Sequence, residues 1–351
     1  MLLTVTARAP MRFDLGGGWT DVPPFSAEEG GAVLNVAIRR YARVRVSRRE
    51  DTRICLASDD YHTAVEANDL AALSYDGSLD LLKAAVRAVA MPGVNVTVAS
   101  DTPPGAGLGA SASVGVALLG ALNEIRSQQW PRKELADRAH RLEVDEIGVA
   151  GGRQDQYAAL NGGFQYLTFN DPGATSTKVG VPTDTVEGLL RGLVLCYSGR
   201  SRISGNIIST VMGNYRRGDP RTTGALRRLK AIAGEMRDAL LASDLLSFGA
   251  LLLDNWRCQQ QLDASVTTPD IDALFDLARH HGAIGGKALG AGGGGCVLFY
   301  AADNADELRD TLRGRGLAVL EFNFDFDGLQ VSVVGAGDKD SQEAPCSSAF
   351  S

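Results

Sequence analysis

Apolar and polar side chains alternate along residues 2–8 (LLTVTAR), 41–48 (YARVRVSR) and 94–99 (VNVTVA), a period of two that predicts half-buried strands in the first hundred residues. Leu79–Ala90 (LDLLKAAVRAVA) has helical spacing and strong helix formers, and Arg132–Ile147 repeats apolar positions at three and four. Ser111–Ile125 is a helix of small and apolar residues that must pack closely on a sheet. From Gly188 a strand LVLCYS leads into a helical region, and Gly224–Leu246 and Leu245–Leu262 read as long amphipathic helices. KALGAGGGGCVLFY, a helix Ala305–Arg313 and strands LAVLEFNF and GLQVSVV complete the pattern. Strands and helices in runs imply two α+β domains, residues 1–175 and 176–335, parted where Gly, Pro, Ser and Thr crowd near Asp171–Pro182. The small, polar tail 336–351 is expected to be disordered, and no internal repeat is visible.

The 351 residues are 44% hydrophobic and 22% charged, which excludes a disordered, collagenous or coiled-coil chain. A net charge of −7 without a basic cluster argues against nucleic acid as partner. Cys55, Cys196, Cys258, Cys296 and Cys346 are scattered and form no C-x-x-C pair, so neither a disulfide framework nor a zinc knuckle is indicated and a reducing cytoplasm is expected. Four histidines, two of them adjacent at His280 and His281, make a His-based metal site or triad a poor reading. No apolar run approaches a membrane span, and no membrane partner is expected.

Glycine is the outlier at 41 residues. The segment Asp101-Thr-Pro-Pro-Gly-Ala-Gly-Leu-Gly-Ala-Ser-Ala-Ser113 lies between a strand and the small-residue helix. Gly105, Gly107 and Gly109 there would let backbone N–H groups converge on an anion, at the positive end of the helix dipole. The bland alternative is a tight turn with Ser111 as N-cap. The spacing is not that of a P-loop, and no acidic ribose ligand follows it as in a Rossmann unit.

This loop, P-P-G-A-G-L-G-A-S-A-S, resembles the P-x-x-x-G-L-G-S-S-A nucleotide loop of the GHMP kinases. Two further signatures agree in order: Arg12-Phe-Asp-Leu-Gly-Gly-Gly-Trp-Thr-Asp21 resembles the sugar motif of galactokinases, and Lys287-Ala-Leu-Gly-Ala-Gly-Gly-Gly-Gly-Cys296 the third, glycine-rich motif. The resemblance implies a two-domain α+β fold, with a ribosomal-protein-S5-like nucleotide domain first and a ferredoxin-like domain second. It implies ATP and Mg²⁺ as cofactors, with ATP held by Pro104, Gly105, Ala106, Gly107, Leu108, Gly109, Ala110, Ser111 and Ser113. Ala110 departs from the family's first serine, leaving Ser111 as the hydroxyl for metal or phosphate.

Glu143 and Asp155 stand twelve residues apart, as do the magnesium glutamate and catalytic aspartate of galactokinases, with Gly148 and Gly152 at matching offsets. Phosphoryl transfer needs a carboxylate on Mg²⁺ and a group that takes or orients the hydroxyl proton. Ser111 and Glu143 are thus the implied metal ligands and Asp155 the implied base, although an acidic run can also be a solvated helix face, the reading kept for Asp145 and Glu146. By the same resemblance Arg12 sits beside the acceptor hydroxyl and keeps Asp155 ionised. Gly17, Gly18 and Asp21 fall in the sugar motif, where Asp21 would accept sugar hydroxyls; otherwise Asp21 is a turn residue before Pro23. Trp19 could stack on a sugar or be a core aromatic. Gly292 and Gly293 of the third motif complete the implied substrate contacts.

The stretch GGGWTDVPPFSAEEGGAVLNVAI is similar to sugar 1-kinases, both D-glycero-D-manno-heptose 7-phosphate kinases and L-fucokinases. The block Gly152–Phe164 and the closing FNFDFDGLQV side with the heptose enzymes, whereas Trp19 and Pro23-Pro24 lean to fucokinase. A heptose phosphate needs cations for its distal phosphate, and Tyr197-Ser-Gly-Arg-Ser-Arg-Ile-Ser204 offers Arg200 and Arg202; the alternative for both is a basic surface loop. The expected activity is an ATP-dependent 1-kinase of heptose 7-phosphate, with a free-sugar kinase or a silent sugar or nucleotide sensor as alternatives. The expected partner is a small-molecule sugar or sugar phosphate, bound by a monomer or homodimer.

Overall fold

The computed structural model describes residues 3–127, 129–170, 173–200 and 205–334. Its first sheet is built from β1 (Thr4–Gly16), β2 (Gly31–Arg48), β3 (Ile54–Ser58), β4 (Thr63–Ala67), β5 (Val94–Ser100), β6 (Phe164–Asn170) and β7 (Gly173–Lys178). Helices α1 (Phe25–Glu28), α2 (Asp80–Ala88), α3 (Ala110–Ile125), α4 (Leu135–Arg141) and α5 (Gln154–Asn161) interrupt it. The chain then forms α6 (Thr183–Gly192), β8 (Leu193–Tyr197), α7 (Gly205–Arg216), α8 (Pro220–Leu241), α9 (Leu245–Leu262) and α10 (Pro269–His280). After these come β9 (Gly285–Ala288), β10 (Cys296–Tyr300), α11 (Ala305–Gly314) and β11 (Ala318–Val319), and the second sheet runs β11-β8-β10-β9. The last strand, β12 (Gln330–Val333), returns to the first sheet and pairs antiparallel with β1, Val5 opposite Val333.

The alternation in 2–8 reflects a strand with one apolar face: Val5, Ala7 and Ala9 are buried in a core with Val44, Val46, Val96, Leu118 and Leu122. Beyond Ala9 the alternation stops because β1 passes between two layers, α3 and α5 on one side and α8 and α9 on the other. Met11, Phe13 and Leu15 join a second core with Leu229, Met236, Phe248, Leu298 and Phe299. The first half of β2, residues 31–38, is buried throughout for the same reason, so its strand was hidden from a period-two search. Arg12 and Asp14 are therefore charged side chains on a strand with no solvent face.

Several expectations change. The Gly/Ser/Thr-rich segment near 171–182 contains β7, an exposed edge strand paired with β6, so a division after residue 175 falls inside an element. The sheets change over between Lys178 and Leu193 instead, and β12 belongs to the first of them. LAVLEFNF is a strand only at Ala318–Val319; it then crosses to the first sheet, where Asn323 O accepts from Arg39 N and Phe324 bridges Ile38. Helices α6 and α10 were not anticipated. The tail 336–351 lies outside the described residues.

Candidate active site

The glycine loop after β5 does what its composition demands. Gly105, Gly107 and Gly109 have φ of +75°, +80° and +77°, and a Cβ on Gly107 would lie 2.6 Å from the carbonyl oxygen of Leu289 in the third motif. Cys296 N donates to Ala106 O (2.8 Å), so the third motif is a backbone rest for the nucleotide loop. The N-cap of α3 is Gly109, not Ser111. Ser111, one turn further in reach, donates from Oγ to Oε1 of Glu143 (2.5 Å), while Ser113 is buried and spends its hydroxyl on the carbonyls of Pro10 and Gly109.

Glu143 stands on a π-helical turn, Leu142–Glu146, that continues α4; such turns put a side chain where a regular helix would not. Its Oε2 accepts from Nε2 of Gln156 (2.5 Å). Burial drives its carboxyl up to about 7, the charge of Asp155 adds to this, and the two hydrogen bonds oppose it. Asp145 and Glu146 are exposed, as expected of a solvated face.

Asp155 opens α5 and is gripped by Arg12, whose Nε and Nη2 each donate to one carboxylate oxygen at 2.7 Å. The third arm, Nη1, donates to Gly107 O (2.7 Å), and Arg12 N donates to Leu108 O. One buried guanidinium thus joins β1, the glycine loop and the first turn of α5. Burial opposes its charge, but the carboxylates of Asp155 and Asp14 more than restore it. The Asp155 side chain stays 25% exposed, open to an incoming group.

Asp21 is buried against the start of α5: Gln154 N, the first of the helix, donates to Oδ2 (3.1 Å), and a Cβ on Gly152 just before it would overlap the carboxylate. Burial, then the charges of Asp155 and Asp14, raise its carboxyl to about 7. Asp21 and Arg153 line a small cleft with Pro23, Ser26 and Phe169.

Gly17 and Gly18 are demanded by close approach, since a Cβ would meet Ala32 O at the first and the Asp14 carboxylate at the second. Trp19 belongs to the core cluster, at φ +82°, and its buried indole N–H has no partner. Gly292 and Gly293 pack on Val266, whose carbonyl oxygen accepts from Gly293 N and would lie 2.5 Å from a Cβ on Gly292. Arg200 pairs with Asp270 at the start of α10 (2.8 Å), both side chains exposed, and Arg202 lies outside the described residues.

Sequence reasoning passed over three residues. Gln156 holds Glu143. Asp14 and Lys287 form a buried ion pair, Nζ to Oδ2 2.8 Å, with Nζ also donating to Asp14 O (2.6 Å). Their signal was charge inside a strand or glycine-rich run of otherwise apolar residues, Arg12 and Asp14 in RFDLG and Lys287 in GGKAL. Elsewhere, a broad groove between α8 and α9 carries Glu235, Asp238, Asp244 and Asp254, but Arg228, Arg237 and a helix cap engage these acids.

Comparisons with known proteins agree with this arrangement. Residues 78–163 match the model of the GHMP kinases N terminal domain and residues 236–316 that of the GHMP kinases C terminal domain. The chain is 28% identical to a D-glycero-alpha-D-manno-heptose 7-phosphate kinase of Campylobacter jejuni over 93% of this chain and 98% of that protein. It is 30% identical to a bifunctional L-fucokinase/L-fucose-1-P guanylyltransferase of Bacteroides fragilis, over 85% of this chain but 35% of that longer protein. Among solved structures, a D-glycero-D-manno-heptose 1-phosphate kinase from Bacteroides thetaiotaomicron superposes with a TM-score of 0.78 at 26% identity, covering 95% of this chain and all of the other.

Proposed function

Because the chain belongs to the GHMP kinases, is a phosphotransferase with a hydroxyl acceptor and has sugar kinases as relatives, we propose that it transfers the γ-phosphoryl group of ATP to the anomeric hydroxyl of D-glycero-D-manno-heptose 7-phosphate in the cytoplasm. The observation that carries the chemistry is the bidentate Arg12–Asp155 pair beside the nucleotide loop. Asp155 Oδ accepts the proton of the acceptor hydroxyl as the new P–O bond forms, and the Arg12 guanidinium stabilises the developing alkoxide. Asp21 orients the sugar by accepting hydrogen bonds from its other hydroxyls, and the glycine-loop amides with the N-terminus of α3 cradle the phosphates.

Mg²⁺ fits the donors present. Glu143 and Ser111 offer hard oxygen ligands, and one carboxylate plus substrate phosphates is the usual way this ion is held. A carboxyl forced up to about 7 by burial is also one that a cation would return to its charged form. Bound there, the ion would neutralise charge on the β- and γ-phosphate oxygens.

The acceptor assignment draws on a likeness that runs the full length of the Campylobacter jejuni heptose kinase. A second reading, a kinase of a free sugar such as L-fucose, is favoured by one observation: Arg200 is engaged with Asp270, and Arg12 and Lys287 are tied to carboxylates. An ADP-release screen over heptose 7-phosphate, free heptose and L-fucose, with the product located by NMR, separates the two. A preference for a free sugar of about tenfold or more overturns the heptose phosphate assignment. No ADP release with any sugar overturns the kinase reading in favour of a silent sensor.

A further inference from the structure

Asp14 and Lys287 are the most deeply buried charged pair beside the site, their side chains 2% and 0% exposed. They come from opposite ends of the chain: Asp14 from the sugar motif on β1, Lys287 from β9 at the start of the third motif. Stability alone does not account for them, since apolar side chains of similar volume serve an interior as well as a buried ion pair does. What the pair adds is charge, next to a site that already holds Arg12, Asp155 and Asp21.

We propose that Lys287 is a positioning residue for the acceptor site: by neutralising Asp14 it supplies the second of two buried positive charges set against the neighbouring carboxylates Asp14, Asp21 and Asp155, and so sets how acidic the medium can be before Asp21 stops accepting a sugar's hydroxyls. The inference rests on the reading of Asp21 as an acceptor-binding residue.

The groups facing Asp21 come from every neighbouring element. Asp155 and the Gln154 N–H face it from the start of α5, Asp14 and Arg12 from β1, and Arg153 lines the same cleft. Against Asp14, Asp21 and Asp155 stand two buried cations, Arg12 and Lys287, with the half-buried Arg153 at the cleft. Arg12 is committed to Asp155 and Gly107 O, so it has no arm on Asp14. Among the described residues Lys287 is the partner of Asp14, through Oδ2 and the main-chain oxygen, and Oδ1 has none; the carboxylate lies where a Cβ on Gly18 would fall. Remove the lysine and three carboxylates share one buried cation; remove the Asp14 charge and two carboxylates share two. The two changes must move Asp21 in opposite directions. A strut that merely ties the two halves together would lose stability in both variants and move Asp21 in neither.

The test is a ¹³C-carboxyl NMR titration of Asp21, assigned with Asp21→Asn, in wild type, Lys287→Met, Asp14→Asn and the double variant, with the pH dependence of the acceptor KM measured in parallel. Lys287→Met is expected to raise the Asp21 midpoint by about one unit, tenfold in proton affinity, Asp14→Asn to lower it by a similar amount, and the double variant to return towards wild type. The acid limb of the acceptor KM should follow each move. If Lys287→Met does not fold, Asp14→Asn decides by itself, because the amide is isosteric and Nζ keeps the main-chain oxygen. An unchanged midpoint in Asp14→Asn, or NMR shifts that leave the acceptor KM profile where it was, overturns the positioning role. The NMR titration needs no substrate, so a failed sugar screen would sink the proposed function without touching this result.

Discussion

The two sides of the site are built on different principles. On the nucleotide side, Ser111, Gln156 and the π-turn hold one half-buried carboxylate, Glu143, with neutral hydrogen bonds and, among the described residues, no paired cation. On the acceptor side, Asp14 and Asp155 are each matched to a buried cation of the protein's own. On the proposed function the first side would be completed by an ion that arrives with the nucleotide; the other carries its positive charge in the fold. Damage on the first side should therefore respond to added metal, whereas damage on the second should not, because a buried charge left without its partner has no solvent ion to replace it.

The largest expected effect is on the acceptor side. Asp155→Asn keeps the shape but cannot take the proton, and it turns one Arg12 contact into a donor–donor clash. Turnover should fall by about 10²-fold or more with ATP binding nearly intact, since general-base work typically contributes that much. Steady-state kinetics with nucleotide titration checks this, and no addition of Mg²⁺ should recover the loss. Wild-type turnover would remove Asp155 from the mechanism.

Glu143→Gln and Ser111→Ala should each raise the Mg²⁺ requirement by about tenfold, with turnover regained at high Mg²⁺. The check is an activation curve in MgCl₂ at saturating ATP. A deficit that Mg²⁺ leaves untouched would erase the contrast between the two sides.

That contrast was only half legible in the sequence. Arg12, Asp155, Glu143 and Ser111 were visible because they sit at motif spacings, and the structure brings all four together. Asp14 and Lys287 lay inside the same motifs and went unremarked: a pattern search reads RFDLG as an apolar strand, and nothing local says that a lysine 273 residues away closes the charge. The buried halves of β1 and β2 failed for a related reason, as a strand covered on both faces has no alternation to read. Glycine enrichment at Gly292 and Gly293 marks close approach without saying to what; the backbone they approach is that of Val266.

A smaller effect concerns stability. The native Asp21 carboxyl keeps its proton to about pH 7, while the unfolded chain releases it near 3.8. Between those values the native state binds more protons than the unfolded one, so this residue makes stability fall as pH rises through the window, and the loss persists above it. Asp21→Asn is neutral throughout. Its Tm should match wild type near pH 4 and exceed it by a few degrees at pH 8, about 1–3 kcal/mol. Melting curves across this range check the sign, and a constant difference would show that Asp21 ionises normally.

The smallest effect is expected at Arg200, whose side chain is turned to Asp270. Its guanidinium and the Asp270 carboxylate are both largely exposed, so their pair is worth about 0–1 kcal/mol and is screened by salt. A phosphate arriving at Arg200 would have to displace Asp270, forfeiting part of the roughly 1.5–3 kcal/mol that a charge-assisted contact supplies. Arg200→Ala should therefore change kcat/KM for heptose 7-phosphate by about twofold or less, and equally for the unphosphorylated heptose. Measured side by side, a loss of about tenfold confined to the phosphorylated sugar would put Arg200 in the acceptor pocket and make that side depend on an exposed cation as well as its two buried ones.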